Sequence, residues 1–390
     1  MKSIGILVGL SIIVAFSAES KAQIQLLRDI QVPGTAKDLS GDKGFLDDNT
    51  PADQLGGPSG LEWTGRGQVY LWLSDRGPKD GATTHTPRYH EVDLTLSLVE
   101  GAQPVIRRTV KLFDTNGKPL TGRSTAFQAG KPEDSPRFDS EGIAIWEGKT
   151  VISEEYGPVI RIFDNQGKAI SDFPVPDHFK VQKPSGDEDE ELAQNNRGRQ
   201  PNAGFEGLCT DGNGGLMAIV QRPLLQDGAM SADGKRIGRN VRILSMCGPN
   251  CKPREYVYPL DNAKQGISEI CHVGGSVFLT IERDGKEMQS KKIMMIDISD
   301  ATDVSAVASL PSDSLPDEIK AVKKRLLIDL QDPKFGLAGK NFPEKIEGLA
   351  FGPDLKDGRR LLVVATDNDF EADEATRIWF FAIDASALKP

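Results

Sequence analysis

The feature that most constrains the fold of this chain is a hairpin pattern that recurs along it. Its clearest copy starts at Glu206-Gly207 on a short apolar strand, turns at residues 211–215 and ends on Gln221-Arg222 after a second apolar strand. The start of one strand and the end of its antiparallel partner lie at the same end of a hairpin, so Glu206 and Gln221 are expected side by side. Comparable units start at five positions: Ser59, Glu141, Glu206, Glu269 and Glu347.

The five units predict an all-β protein. Each contains three or four short strands separated by turn residues, a spacing typical of the blades of a β-propeller with long loops. We therefore predict a propeller of five blades, with a sixth, degenerate blade as the alternative. A β-sandwich is the rival fold, but it would not explain the repeated carboxylate-glycine start. The last unit lacks a fourth strand, which the strand at residues 23–32 could supply and so close the ring.

Two further segments carry local signals. One short inserted helix is expected at residues 316–325, with Ser314 as its N-cap. The charged and polar segment at residues 184–200 is expected to be a surface loop.

The N-terminus has the pattern of an export signal. A lysine precedes an apolar run at residues 4–16, and a small-x-small cleavage site follows at residues 20–22. The run is short for a membrane span, and a retained anchor is the alternative. We expect a signal peptide at residues 1–22 and a single propeller domain at residues 23–390. The mature protein would be secreted or periplasmic, without membrane contact.

The net charge of the chain limits the classes of partner it can bind, and its cysteines bear on the compartment in which it folds. A formal net charge of −10 argues against nucleic acid, which needs a basic surface. Four cysteines in an exported chain suggest disulfides. Cys247 and Cys251 enclose a turn, so we predict a local bridge between them, which leaves Cys209 to pair with Cys271. A zinc site is the alternative, weakened because His272 is the only nearby histidine.

The repeated starts are expected to place carboxylates around one mouth of the central channel, because the first strand of a propeller blade lines that channel. Carboxylates packed this closely repel one another unless they are protonated or hold hard cations. Oxygen ligands with few histidines favour calcium over zinc. The expected ligands are Asp75, Asp139, Glu141, Glu155, Glu269, Glu282, Glu347, Asp367 and Asp369.

Arginines are expected at the same rim. Arg76, Arg222 and Arg283 follow the ends of second strands, and Arg137 precedes the second unit. A guanidinium beside bound calcium would suit a phosphate or carboxylate, although these arginines could instead only pair with the rim acids. The chain has no G-x-S-x-G, H-E-x-x-H or P-loop pattern, and no histidine lies near Ser59 in sequence, which disfavours a Ser-His-Asp hydrolase.

Seven segments together resemble one protein family. They are residues 73–78, 137–144, 153–158, 204–208, 281–284, 345–349 and 367–369. In this order they resemble the phytase-like domain of exported bacterial proteins, the family described as "esterase-like activity of phytase". The resemblance implies an ester or phosphoester hydrolase without fixing a substrate. Gln221 stands where other units carry an acid, so it departs from the expected ligand pattern.

The expected function is calcium-dependent hydrolysis of phosphate esters or other small-molecule esters. Calcium would bind phosphoryl oxygens and activate a water, with Glu206 or Glu154 as the catalytic base. Two alternatives remain. Calcium could instead hold the blades of a non-catalytic propeller that binds a ligand or protein at its mouth. A lactonase-type propeller could use the same acidic mouth for a sugar lactone.

Overall fold

Five four-stranded antiparallel sheets, arranged as the blades of a propeller, make up the described part of the chain. The computed structural model describes residues 23–95, 99, 101–131, 135–231, 236–248, 250–286 and 288–390. The predicted signal peptide at residues 1–22 lies outside them. Within these ranges no helix is both long enough and apolar enough to cross a membrane.

The blades follow one another along the chain, and only the N-terminal strand β1 (Ile24–Val32) lies out of order. Blade 1 contains β2 (Pro58–Trp63), β3 (Val69–Ser74), β4 (Arg88–Asp93) and β5 (Val105–Lys111). Blade 2 contains β6 (Ser140–Trp146), β7 (Lys149–Glu154), β8 (Ile160–Phe163) and β9 (Ala169–Asp172). Blade 3 contains β10 (Phe205–Thr210) and β11 (Leu216–Val220), then a small hairpin of β12 (Ala229–Met230) and β13 (Arg236–Ile237), then β14 (Asn240–Met246) and β15 (Arg254–Pro259).

The last two blades complete the ring. Blade 4 contains β16 (Gly266–Gly274), β17 (Val277–Arg283), β18 (Lys291–Asp297) and β19 (Lys323–Asp329). Blade 5 contains β20 (Lys345–Phe351), β21 (Arg360–Asp367) and β22 (Thr376–Ile383), with β1 as its outermost strand. Strand β1 pairs antiparallel with β22, so that Ile24 lies opposite Ile383. Both the five-blade count and the closure by the N-terminal strand are therefore confirmed.

The inner strands β2, β6, β10, β16 and β20 pack side by side around the channel, and glycine lets them approach closely. A Cβ on Gly142 would lie 2.4 Å from the Glu206 carbonyl oxygen, and one on Gly207 would lie 2.3 Å from the Ile270 nitrogen. The Ser153 hydroxyl bridges the same contact, because it donates to the Glu206 carbonyl at 2.8 Å and accepts from the Gly142 N–H at 3.0 Å. The glycine in the repeated start is thus required by backbone packing between blades.

The predicted helix at residues 316–325 is wrong. Lys323 already begins strand β19, and the preceding residues are irregular. The buried Val322 donates its N–H to the Val257 carbonyl at 2.9 Å, and Ile319 packs in the apolar cluster on strand β15. The apolar residues of this segment thus pack on a blade instead of forming a helix face, an example of tertiary packing overriding local propensity.

The helices that do occur in the described residues are short. The α-helices are a single turn, α1 (Pro78–Gly81), and a seven-residue helix, α2 (Glu188–Gln194), inside the segment expected to be a loop. Single 3-10 turns occur at Ser124–Ala126, Asp177–Phe179, Pro333–Phe335 and Ala385–Leu388. Asp187 caps α2 by accepting from the Glu190 N–H at 2.8 Å. The helix is anchored because Glu191 is buried in an ion pair with the buried Arg199.

Of the two predicted disulfides, the Cys247–Cys251 bridge is confirmed. The second does not form, because Cys209 and Cys271 are buried free thiols in the structure. Cys209 and Cys271 line the same cavity, on the first strands of blades 3 and 4, without being joined. Burial raises the pKa of both thiols well above the usual value, which makes them unreactive.

Candidate active site

A β-bulge interrupts the start of every inner strand and determines which side chains reach the channel mouth. The register between the first and second strands shifts at this point in all five blades. A bulge adds a residue to one strand and re-aims the side chains around it. The polar residues at the five bulges, from blade 1 to blade 5, are Ser59, Glu141, Glu206, Ser268 and Glu347.

Two more positions of each blade reach the same mouth. The first of these positions is the last residue of the second strand or the residue directly after it. From blade 1 to blade 5 it is occupied by Asp75, Glu155, Gln221, Arg283 and Asp367. The other lies two residues before the bulge residue. Blade 2 has Asp139 there, whose carbonyl accepts the Glu155 N–H, and blade 5 has Lys345, which pairs in register with Asp367.

These positions, with residues next to the second-strand ends, form a strongly acidic mouth. Among the described residues it combines eight carboxyl groups with three cationic groups. The carboxyl groups belong to Asp75, Asp139, Glu141, Glu155, Glu206, Glu347, Asp367 and Asp369, and the cations to Arg76, Arg283 and Lys345. All except Asp369, Arg283 and Lys345 are buried. The excess of buried acid must be balanced by protons or by bound cations.

Each of the two arginines joins neighbouring blades. The Arg76 Nη1 donates to the Asp139 Oδ2 at 2.7 Å, which links blade 1 to blade 2. Arg283 donates through Nε to the Ser268 hydroxyl at 2.7 Å and through Nη2 to Glu347, which links blade 4 to blade 5. Both arginines predicted at the mouth from these strand ends are therefore present there, and both are held in place by rim groups.

Burial and repulsion between neighbouring carboxyl groups favour their protonated forms, which balances part of the acid. Burial, with repulsion from Glu206 and Asp139, raises the pKa of Glu141 well above its usual value. Burial raises the pKa of Glu155 to about 7. Burial, together with repulsion from Glu155, raises the pKa of Glu206 well above its usual value. Gln221 donates its side-chain amide to Glu206, so this residue positions an acid instead of serving as a ligand.

The same cluster contains oxygen atoms suited to a hard cation. The buried atoms Asp139 Oδ1, Glu155 Oε1 and Asp367 Oδ2 have no hydrogen-bond partner among the described residues. Two triads each offer three carboxylate oxygens that lie within 4.8 Å of one another. The first is Asp75, Asp139 and Glu141, the second is Asp75, Asp367 and Asp369, and they share Asp75. All donors are oxygen, which fits calcium.

Two predicted carboxylates at the strand ends do not face the mouth. Glu154 accepts the backbone N–H groups of Tyr156 at 3.0 Å and Val159 at 3.2 Å, so it holds the turn after strand β7. Glu282 is fully buried and accepts from the Lys324 Nζ at 2.8 Å. Both precede by one residue the position that faces the mouth, and side chains alternate along a strand.

The third carboxylate away from the mouth is Glu269. The bulge of blade 4 leaves Ser268 at the mouth, so Glu269 occupies the position that holds glycine in the other blades. Its Oε1 accepts the N–H groups of Leu208 at 3.2 Å and Ile270 at 2.9 Å, and its buried Oε2 has no described partner. Burial raises the pKa of Glu269 well above its usual value. Glu269 therefore lies inside the channel, where burial favours its protonated form.

The other two predicted arginines lie outside the cluster. Arg137 donates to the Ser185 carbonyl at 2.6 Å, and its guanidinium stacks 4.3 Å from the Phe127 ring centroid and 5.0 Å from that of Tyr156. It therefore anchors the segment that carries helix α2. Arg222 follows Gln221 and is exposed.

Sequence reasoning missed Lys345 and Ser268 as parts of the mouth. A signal for Lys345 was available in the spacing, because Lys345-x-Glu347 repeats the arrangement of Asp139-x-Glu141. No comparable signal existed for Ser268, because its place depends on the bulge that shifts Glu269 into the channel.

Comparison of the chain with known proteins finds a matching family model and a relative described as secreted. The family model described as "Phytase-like: Esterase-like activity of phytase" matches residues 53–370. A protein of Arthroderma benhamiae described as an uncharacterized secreted protein is 26% identical over 321 residues, which cover 65% of this chain and 62% of that protein. The match thus spans less than two thirds of the length of this relative.

Two solved structures show distant similarity. Glutaminyl cyclase from Myxococcus xanthus has a TM-score of 0.39 and 11% identity, over 93% of this chain and 97% of that chain. A gluconolactonase from Xanthomonas campestris has a TM-score of 0.38 and 10% identity, over 91% of this chain and 100% of that chain. Both similarities are too distant to bear on chemistry.

Proposed function

The chain belongs to the phytase-like family, and from this membership we propose that it is an exported, calcium-dependent hydrolase of phosphate esters or other small-molecule esters. The observation that carries the proposal is the acidic mouth, where eight carboxyl groups meet three cations and buried carboxylate oxygens lack partners in the described structure. Export is supported by the signal pattern at residues 1–22 and by the secreted description of the fungal relative.

The triad of Asp75, Asp139 and Glu141 would hold the calcium ion. Arg76 occupies Oδ2 of Asp139 and leaves the buried Oδ1 without a partner, so this oxygen is available to a cation. Calcium takes six to eight oxygen ligands, so water or substrate oxygens would complete its coordination. When bound, the ion would polarise an ester oxygen and lower the pKa of a coordinated water.

The neighbouring carboxyl groups of Glu155 and Glu206 would transfer the proton. A general base works best when its pKa lies near the working pH, and burial places that of Glu155 at about 7. The amide of Gln221 fixes the orientation of the Glu206 carboxyl group. This pair replaces Glu154 as the base, because the oxygens of Glu154 are already bonded to backbone N–H groups.

Arg283 would bind the anionic part of the substrate. Its guanidinium is fixed by Ser268 and Glu347 on the side of the mouth away from the calcium triad. The planar fork of guanidinium donors matches phosphate and carboxylate oxygens. An ester with an anionic group fits between the calcium triad and this guanidinium.

Substituting Glu206 tests the proposal. We expect the purified mature chain to hydrolyse one or more members of a panel containing phytate, p-nitrophenyl phosphate, p-nitrophenyl acetate and a sugar lactone, with calcium but not with EDTA. Glu206→Gln should lower kcat by about 100-fold or more, because it removes one member of the carboxyl pair that transfers the proton. Glu147→Gln is the control, since Glu147 is exposed just beyond the opposite end of strand β6 and should leave kcat unchanged. A wild-type kcat in Glu206→Gln would exclude this pair as the proton-transfer group.

One observation favours a second candidate, the non-catalytic propeller. The mouth cations connect blade 1 with blade 2 and blade 4 with blade 5, so a bound calcium ion would add a further link between blades. In that case calcium would raise the melting temperature of the chain while every ester and the lactone stayed intact. Turnover of only the lactone would instead favour the lactonase-type alternative.

A further inference from the structure

The side chain of Lys345 lies among the carboxylates of one of the two triads. Its Nζ donates to Asp369 and lies 3.6 Å from the Asp367 Oδ2 and 3.7 Å from the Asp75 Oδ2. One ammonium group therefore contacts all three members of the triad Asp75–Asp367–Asp369. The side chain is only 23% exposed, so solvent screens these contacts weakly.

The other triad contains no ammonium group. Asp139 in blade 2 occupies the position that Lys345 occupies in blade 5, two residues before the bulge residue. At this position blade 2 thus supplies an additional carboxylate, whereas blade 5 supplies a positive charge. Asp139 is fully buried and its Oδ1 lacks a partner in the described structure, so this triad offers an oxygen that no cation of the chain has taken.

Lys345 keeps its positive charge in this position, because three carboxylates surround its ammonium group. A calcium ion bound 2.3–2.6 Å from the oxygens of the same triad would lie close to this ammonium group and be repelled by it.

We propose that Lys345 is a built-in cation that takes the place of a metal ion in the triad Asp75–Asp367–Asp369. The wild-type chain then binds one calcium ion at the mouth, in the triad Asp75–Asp139–Glu141. Asp75 bridges the ion and the ammonium group, so a mobile and a covalently attached positive charge lie side by side at this part of the mouth. The identity of the metal in this inference rests on the proposed function.

The number of calcium ions bound tests this role. Isothermal titration calorimetry of the metal-stripped mature chain with calcium should give one ion per wild-type chain. Lys345→Met has nearly the same shape but no charge, and it should bind two. Lys345→Arg keeps the charge and should bind one, as should Lys149→Met, whose exposed lysine begins strand β7 at the opposite end of blade 2.

A second pair of variants tests the role of Lys345 even if the Lys345→Met chain does not fold. Glu141→Gln removes a ligand and should weaken calcium binding by more than about 30-fold. Asp369→Asn removes only a partner of Lys345 and should leave the affinity within about threefold of wild type. Equal weakening by both variants, or a wild-type chain that binds two ions or none, overturns the role of Lys345. So does a folded Lys345→Met chain that binds one ion. Absence of ester turnover from a chain that shows the expected stoichiometries would remove the hydrolase proposal alone.

Discussion

The two halves of the mouth differ in charge although both are built from the same hairpin unit. On one side, blades 5, 1 and 2 present Glu347, Asp367, Ser59, Asp75, Glu141 and Glu155. On the other side, blades 3 and 4 present Glu206, Gln221, Ser268 and Arg283. The first half contains both carboxylate triads together with Arg76 and Lys345, and the second contains a single carboxyl group, an amide, a hydroxyl and a guanidinium. The first half therefore suits a cation and the second an anion.

Part of this difference in charge arises from a shift of one residue in the register of the first strand of blade 4. The acid of the fourth unit, Glu269, follows the bulge residue instead of occupying the bulge. Its carboxyl group consequently lies inside the channel, and Ser268 is left at the mouth to accept from Arg283 at 2.7 Å. A shift of one position reverses the direction of a strand side chain, so it can remove an acid from one half of a site without changing composition.

The largest expected effect comes from removing the acid that both triads share. We expect Asp75→Asn to weaken calcium binding by more than about 100-fold in isothermal titration calorimetry, because changes outside the ligand shell already cost 10–100-fold. Asp80→Asn is the matched control, since Asp80 is 79% exposed and belongs to neither triad. Wild-type affinity in Asp75→Asn would show that the acidic half does not bind the ion.

A smaller effect is expected in the other half of the mouth. Arg283→Met should raise KM for p-nitrophenyl phosphate by about 10- to 100-fold, the equivalent of one charge-assisted hydrogen bond. KM for the neutral p-nitrophenyl acetate and the calcium affinity should stay within about twofold. Equal increases in KM for both esters would contradict an anion-binding role. A large loss of calcium affinity would show that the two halves are not independent.

The fold could be predicted from sequence because each strand carries a local signal. Alternating apolar residues and turn residues located the inner strands at Glu141, Glu206 and Glu347, and the strand at residues 23–32 closes the ring as predicted. The helix predicted at residues 316–325 failed because its apolar residues pack on the outer strand of a neighbouring blade, a contact that local pattern does not reveal.

The composition of the mouth was only partly predictable because it depends on register. Glu154 and Glu155 are neighbours, yet only Glu155 faces the mouth, while Glu154 binds the backbone of a turn. Alternation along a strand predicts that just one of two neighbours faces the channel. Which one does so follows from the pairing of strands β6 and β7, and the sequence does not show that pairing. For the same reason, the sequence did not show that Glu269 lies inside the channel and not at the mouth.

The smallest expected effect concerns Glu269, and it tests whether register separates this acid from the mouth. The pKa of Glu269 in the folded chain is raised above the usual value of 4.5. Below about pH 4.5 both the folded and the unfolded chain hold this proton. As pH rises above it, the unfolded chain loses the proton and the folded chain keeps it. The free energy of unfolding of the wild type should therefore fall relative to Glu269→Gln, by up to about 1.4 kcal/mol for each pH unit, until the folded pKa is reached.

Urea unfolding of both chains in EDTA, from pH 4.5 to pH 8, measures this difference. The mouth carboxylates titrate in both chains, so subtracting the two curves isolates Glu269. We expect a difference that grows with pH in favour of Glu269→Gln, together with a calcium affinity within about threefold of wild type. A difference that stays constant with pH would mean that Glu269 is ionised in the folded chain. A loss of calcium affinity above about tenfold would place its carboxylate at the mouth with Glu141 and Glu347, and the contrast between the two halves would then not depend on register.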